Sequence, residues 1–168
     1  MITIAPRKAQ RPKKPKTPIA KERAMRLQFT DWLYEVYNIQ EVSTHLFVTL
    51  DKVYKGTYKS YKQTIDVGDL WDAWERKLPQ LKEFHLSTFF QQKKLNDVET
   101  ILYDLGIILK QWDQYLHWQE NHPQEVKTAK QEREKLIDYD KFINNQQKQS
   151  DDIDLSATLT DIWGDING

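Results

Sequence analysis

The sequence predicts an all-α protein: a compact bundle of about five or six helices, with a disordered basic N-terminal arm and an acidic C-terminal tail. Three observations carry the prediction. Apolar residues recur at three-to-four spacing through most of the chain, as one buried helical face requires. Only five of 168 residues are glycine, and no segment holds the two-residue alternation of a half-buried strand. Capping residues stand in front of several of the apolar runs. A chain of this length supports one domain with its own core. The boundaries expected are 1–17 for the arm, 18–148 for the bundle and 149–168 for the tail.

The arm, "MITIAPRKAQRPKKPKTP", sets Pro6, Pro12, Pro15 and Pro18 among Arg7, Lys8, Arg11, Lys13, Lys14 and Lys16. Each proline fixes φ and removes a donor, so this stretch is expected to be extended and solvated. Thr17 as N-cap and Pro18 at the first helical position then open a helix in which Met25, Phe29, Trp32, Leu33 and Val36 share a face up to Tyr37. In "NIQEVSTHLFVTLDKVYKG", Val42, Leu46, Leu50 and Val53 fit one helical face, although "HLFVTL" also suits a strand. The spacing outlasts an average strand, so a helix from Ile39 to about Lys55 is expected, stopped by Gly56.

After a connector, Asp66 or Asp69 caps "DLWDAWERKL", whose Leu70, Trp71, Trp74 and Leu78 lie on one side. Pro79 is expected to end that helix or open the next segment, where Leu81, Phe84, Phe89 and Phe90 supply one or two short helices. The clearest element runs from Asn96 toward Pro123. Val98, Ile101, Leu102, Leu105, Ile108, Leu109, Trp112 and Leu116 keep an unbroken helical rhythm, with Asn96 and Glu99 at capping-box spacing. It reads as one long helix, the spine of the core. A further helix with a thinner stripe of Val126, Leu136, Ile137 and Ile143 packs on it.

Composition excludes more functions than it suggests. With no cysteine, disulfides, thiolate metal sites and a cysteine nucleophile are ruled out, which fits a reducing compartment. No run approaches the roughly 18 apolar residues of a membrane span, so a soluble, cytoplasmic protein with no membrane partner is expected. Glycine-rich phosphate loops, nucleophile elbows, zinc-protease and EF-hand motifs are all missing. His45, His85, His117 and His122 are scattered, and the last two stand five apart, off a common helical face. Asp66, Asp69 and Asp72 recur every third residue, which reads as a cap and a first-turn acidic face before it reads as a cation site. No enzyme activity, metal or cofactor is therefore expected.

Two binding roles remain. Net charge is zero, yet residues 1–20 carry six bases and no acid while 150–168 carry five Asp and no base. In the leading reading the protein is a nucleic-acid-binding accessory factor of replication, recombination, transcription or defence. The six arm bases contact phosphates, and "YKGTYKSYK" adds Lys55, Lys59 and Lys62 for phosphates with Tyr54, Tyr58 and Tyr61 as stacking rings. In the alternative it is a protein adaptor. It then acts through Trp71, Trp74, Trp112 and Trp118 and through the tail, where Asp151, Asp152 and the apolar Ile153, Leu155, Leu159, Ile162 and Trp163 make an acidic-hydrophobic peptide.

Overall fold

In the computed structural model the described residues run from 18 to 137. The basic arm, its Thr17 cap and the chain from 138 onward, the acidic tail included, lie outside them. The described residues form seven helices and no strand: α1 (Pro18–Val36), α2 (Thr44–Tyr54), α3 (Val67–His85), α4 (Thr88–Gln91), α5 (Asp97–Lys110), α6 (Trp112–Asn121) and α7 (Pro123–Leu136). The compact unit spans Glu22–Ile137, and all packing described below is within it.

The core forms around α3, which buries Leu70, Trp71, Trp74 and Leu81. Phe29 of α1 sits against the rings of Trp71 and Trp74, at 5.6 and 5.9 Å between centroids. Leu33 of α1, Leu46, Leu50 and Val53 of α2, and Ile101, Leu105 and Ile108 of α5 complete the cluster with Trp112 of α6. Fully burying a side chain of this size contributes about 1.5–3 kcal/mol. Trp71, Trp74 and Trp112 are thus explained as core, without an interface.

Three boundaries depart from the sequence reading, and one of them, the division of the expected spine, adds a helix. The second helix begins at Thr44 because two local signals outweigh the apolar rhythm. Asn38, at φ 54°, closes α1 in a Schellman turn, with Ile39 N–H donating to Tyr34 O at 2.8 Å and Asn38 N–H to Glu35 O at 3.3 Å. Ser43 then caps α2 by accepting from Leu46 N–H, which leaves Val42 in the connector at 75 % exposure instead of on the buried face.

Pro79 does not end α3, which continues to His85. The ring lies on the exposed side, one turn after an exposed Glu75, while Trp74 and Leu81 anchor the helix before and after it. The long spine is two helices. Gln111, at φ −101° and ψ 14°, interrupts it, its N–H shared between Ile107 and Ile108 carbonyls. A one-residue defect barely disturbs the three-to-four spacing, so the apolar pattern conceals it. Pro123, expected as a stop, is also the first residue of α7.

Candidate functional site

The tyrosine- and lysine-rich stretch is held in place by Gly56. At φ +66° it ends α2 in a second Schellman turn, Gly56 N–H donating to Val53 O and Thr57 N–H to Lys52 O. A Cβ here would meet Lys62 O and Gln63 C at 2.8 Å. The close approach that glycine permits is therefore to the protein's own returning backbone. The rings face largely inward: Tyr54 is 7 % exposed, while Tyr58 and Tyr61 are half-buried against the core. Burial, with the nearby Asp113 carboxylate, pushes the Tyr61 hydroxyl up to about 12.

Of the three lysines, Lys55 is bound to Asp51 at 2.6 Å. Lys59 and Lys62 are exposed and form no ion pair among the described residues; Lys59 rests over the Tyr58 ring at 5.0 Å. Tyr54 is thus a core residue, its ring covered by the Arg26 guanidinium at 4.3 Å and its hydroxyl buried with no hydrogen-bond partner among the described residues. Tyr54→Phe is expected to leave stability unchanged or raise it by up to about 1 kcal/mol in urea denaturation, since an unsatisfied buried hydroxyl costs free energy. A clear loss of stability would mean that the hydroxyl has a partner.

The three-residue acid repeat turns out to be structural. Asp66 caps α3, accepting from Gly68 and Asp69 N–H. Asp69 accepts from Gln119 Nε2 at 2.9 Å and pairs with Lys130 at 2.8 Å. Asp72, 3 % exposed, accepts from Arg76 Nε at 2.9 Å, Tyr115 Oη at 2.8 Å and Arg133 at 3.0 Å, and Arg133 also meets Glu75. Burial alone would raise the Asp72 carboxyl; these three donors outweigh it and hold it below the usual carboxylate range. The network fastens α6 and α7 across α3. Among the described residues no group of three or more His, Cys, Asp or Glu is placed to hold a metal ion.

A second buried polar chain joins α1, α3 and α5. Trp74 Nε1–H donates to Tyr37 Oη at 2.9 Å, Tyr37 Oη–H donates to Asp104 at 2.6 Å, and His85 Nε2 lies 2.9 Å from the other Asp104 oxygen. Asp104 is fully buried, and burial raises its carboxyl against the pull of those two bonds. The His85 ring also stacks on Phe90 at 4.4 Å, so the His85–Asp104 pair ties α3 to α5 beside α4. A cleft of about 540 Å³ between α3 and α6 is lined by Glu75, Arg76, Gln80, Gln111, Gln114 and Trp118 among others. Trp118 is half-buried there, with Arg76 3.6 Å from its centroid and His122 stacked on it at 4.8 Å.

The most exposed rings and unpaired lysines meet elsewhere, where α3 ends and α4 and α5 begin. Leu86 is 81 % and Phe89 60 % exposed. Phe84 lies 6.3 Å from Phe89 and stacks on Tyr103 at 6.2 Å, and Lys93 Nζ sits over both Phe89 and Tyr103, at 4.7 and 5.2 Å. Lys82 and Lys94 are exposed nearby in the chain and form no ion pair among the described residues. The sequence reading missed this corner. Phe89 and Phe90 are adjacent, and in the four-residue α4 only Phe90 turns inward, at 7 % exposure. The available signal was "FFQQKK", two rings followed within one turn by two lysines.

Comparison with protein-family models, with curated proteins and with solved structures finds no match. No helix among the described residues is long and apolar enough to cross a membrane.

Proposed function

We propose that the protein is a non-enzymatic accessory factor that binds nucleic acid through its basic arm at 1–17 and a cationic surface of the bundle. The observation that carries the reading is the loop after α2, where Lys59 and Lys62 stand exposed and unpaired on backbone pinned by Gly56. The arm adds Arg7, Lys8, Arg11, Lys13, Lys14 and Lys16, six cations with no acid among them. Phosphate binding by such groups gains from counterion release and needs no further fold. A reducing, cytoplasmic setting suits a chain without cysteine.

The test is binding of the full chain to fluorescent single- and double-stranded oligonucleotides across a salt series. Lys59→Gln and Lys62→Gln are each expected to flatten the slope of log K against log salt by about 0.7 on single strands and 0.9 on duplex, and neutralising the arm lysines and arginines by a similar amount per cation. Absence of binding at low salt would overturn the proposal. A second reading, protein adaptor, is favoured by the outer face of α2, where Val48 and Phe47 are 47 and 36 % exposed, next to Val42 of the preceding connector at 75 %. Under it the acidic tail at 149–168 is the partner-binding peptide.

A further inference from the structure

We infer that the corner built by Phe84, Phe89, Lys93 and Tyr103 is a base-stacking site for single-stranded nucleic acid. The inference rests on the nucleic-acid reading above and adds to it a surface of the bundle and a class of strand. Three features meet at this corner. Phe89 offers a ring that is 60 % exposed, with Leu86 at 81 % beside it in the chain. Phe84 lies beside that ring at 6.3 Å and stacks on Tyr103, their rings 9° from parallel, while Phe90 anchors α4 in the core at 5.4 Å from Phe84 and 5.6 Å from Tyr103. Lys93 lies over two of the rings, and Lys82 and Lys94 are exposed close to them in the chain. Of the neighbouring acids, Glu99 is held in the α5 capping box, leaving Glu83 and Asp97 as the exposed carboxylates closest in the chain.

The chemistry selects the ligand. Aromatic faces engage bases only when those bases are unstacked from a duplex, and a lysine at the platform, here Lys93, meets the phosphate that accompanies the base. Lysine is depleted from protein–protein interface centres, so exposed rings capped by a lysine suit a polyanion better than a protein partner. Lys93 now lies over Phe89 and Tyr103 at cation–π distance, a weak hold at an exposed position. On binding, its ammonium exchanges the ring for a phosphate and frees the ring face for a base. A four-residue helix at a corner cannot fill a duplex groove, which again favours single strands.

The experiment measures binding of the full chain and its variants to fluorescent dT and rU 20-mers and to a 20-bp duplex. Phe89→Ala is expected to weaken single-strand binding about 5- to 150-fold, the range for losing one base–aromatic stack, with little change for duplex. Phe89→Trp is expected to retain binding and Phe89→Leu to lose it, because leucine keeps the apolar contact without a π face. Lys93→Gln should flatten the single-strand salt slope by about 0.7. Exposed Phe89 carries little of the core, and unchanged thermal midpoints would confirm folded variants. The dT and rU arms show whether the strand is DNA, RNA or either. Full-chain binding that none of the Phe89 variants alters would overturn the stacking site while the nucleic-acid reading stood. Retained affinity in Phe89→Leu alone would likewise overturn stacking, pointing to an apolar contact of the protein-docking kind. No binding by the full chain at low salt would remove both.

Discussion

Asp72→Ala is expected to destabilise the fold by about 3–5 kcal/mol, the range for breaking a buried charge network by removing one partner. The carboxylate serves three donors on three helices: Arg76 of α3, Tyr115 of α6 and Arg133 of α7. Without it Arg133, 7 % exposed, keeps only Glu75 as an ionic partner among the described residues, and Tyr115 loses its acceptor. Urea denaturation followed by tryptophan fluorescence would measure the loss. The double variant Asp72→Leu/Arg133→Met should recover part of it, since two apolar groups do not need each other as two buried charges do. A loss below about 1 kcal/mol in Asp72→Ala would show the network to be dispensable.

The same residue sets an acid limit. Its carboxyl is held below the ordinary value, so its contribution is present above the unfolded value of about 3.9 and is lost as pH falls through the lower folded pKa. Asp104 works in the opposite sense. Its carboxyl is raised, so its contribution is full below the unfolded value and declines as pH rises through the folded one. Stability measured from pH 2 to 6 should therefore lose its steepest acid limb in Asp72→Asn. An unchanged limb would mean that Asp72 titrates as it does in the unfolded chain.

Gly56→Ala is the second large effect, an expected loss of about 2–3 kcal/mol. The φ of +66° costs an L side chain about 1–2 kcal/mol by itself. The added Cβ would also lie 2.8 Å from backbone atoms of Lys62 and Gln63, which cannot swing aside as a flexible side-chain tip would. The relief available is to open the loop between 56 and 63, which frees Lys59 and Lys62 from their fixed positions. Faster amide exchange across the loop should therefore accompany the stability loss, and, under the proposed nucleic-acid binding, weaker phosphate contact as well. Gly106, where a Cβ meets nothing within 4 Å, is the control: Gly106→Ala inside α5 should stabilise by about 0.5–1 kcal/mol.

What was legible in the sequence was local chemistry. The Asn96–Glu99 box, the Asp66 cap and Pro18 at the start of α1 all act within four residues and stand where the sequence places them. Asn38 and Ser43 were equally local signals, but a continuous apolar rhythm masked them. The kink at Gln111 follows no glycine or proline and had no signature. The acid repeat showed its spacing but not its partners, because Tyr115 and Arg133 are 43 and 61 residues from Asp72. Which ring of the Phe89–Phe90 pair faces solvent depends on α4 docking by its Phe90 side, a tertiary fact no single-sequence period encodes.

The uninterrupted passage of α3 through Pro79 has one more consequence. Its 19 residues make a rod about 27 Å long, with the Lys59–Lys62 loop entering at one end and the Phe89 corner leaving at the other. If both ends bind nucleic acid as proposed, a rigid rod would turn two weak contacts into a ruler. Under the proposed binding, a strand shorter than this span would engage one end at a time, whereas one long enough to span it would reach both and gain the effective concentration of a tethered second contact. Affinity should then rise in a step with oligonucleotide length. Had the helix ended at Pro79, a hinge would have blurred that threshold into a slope.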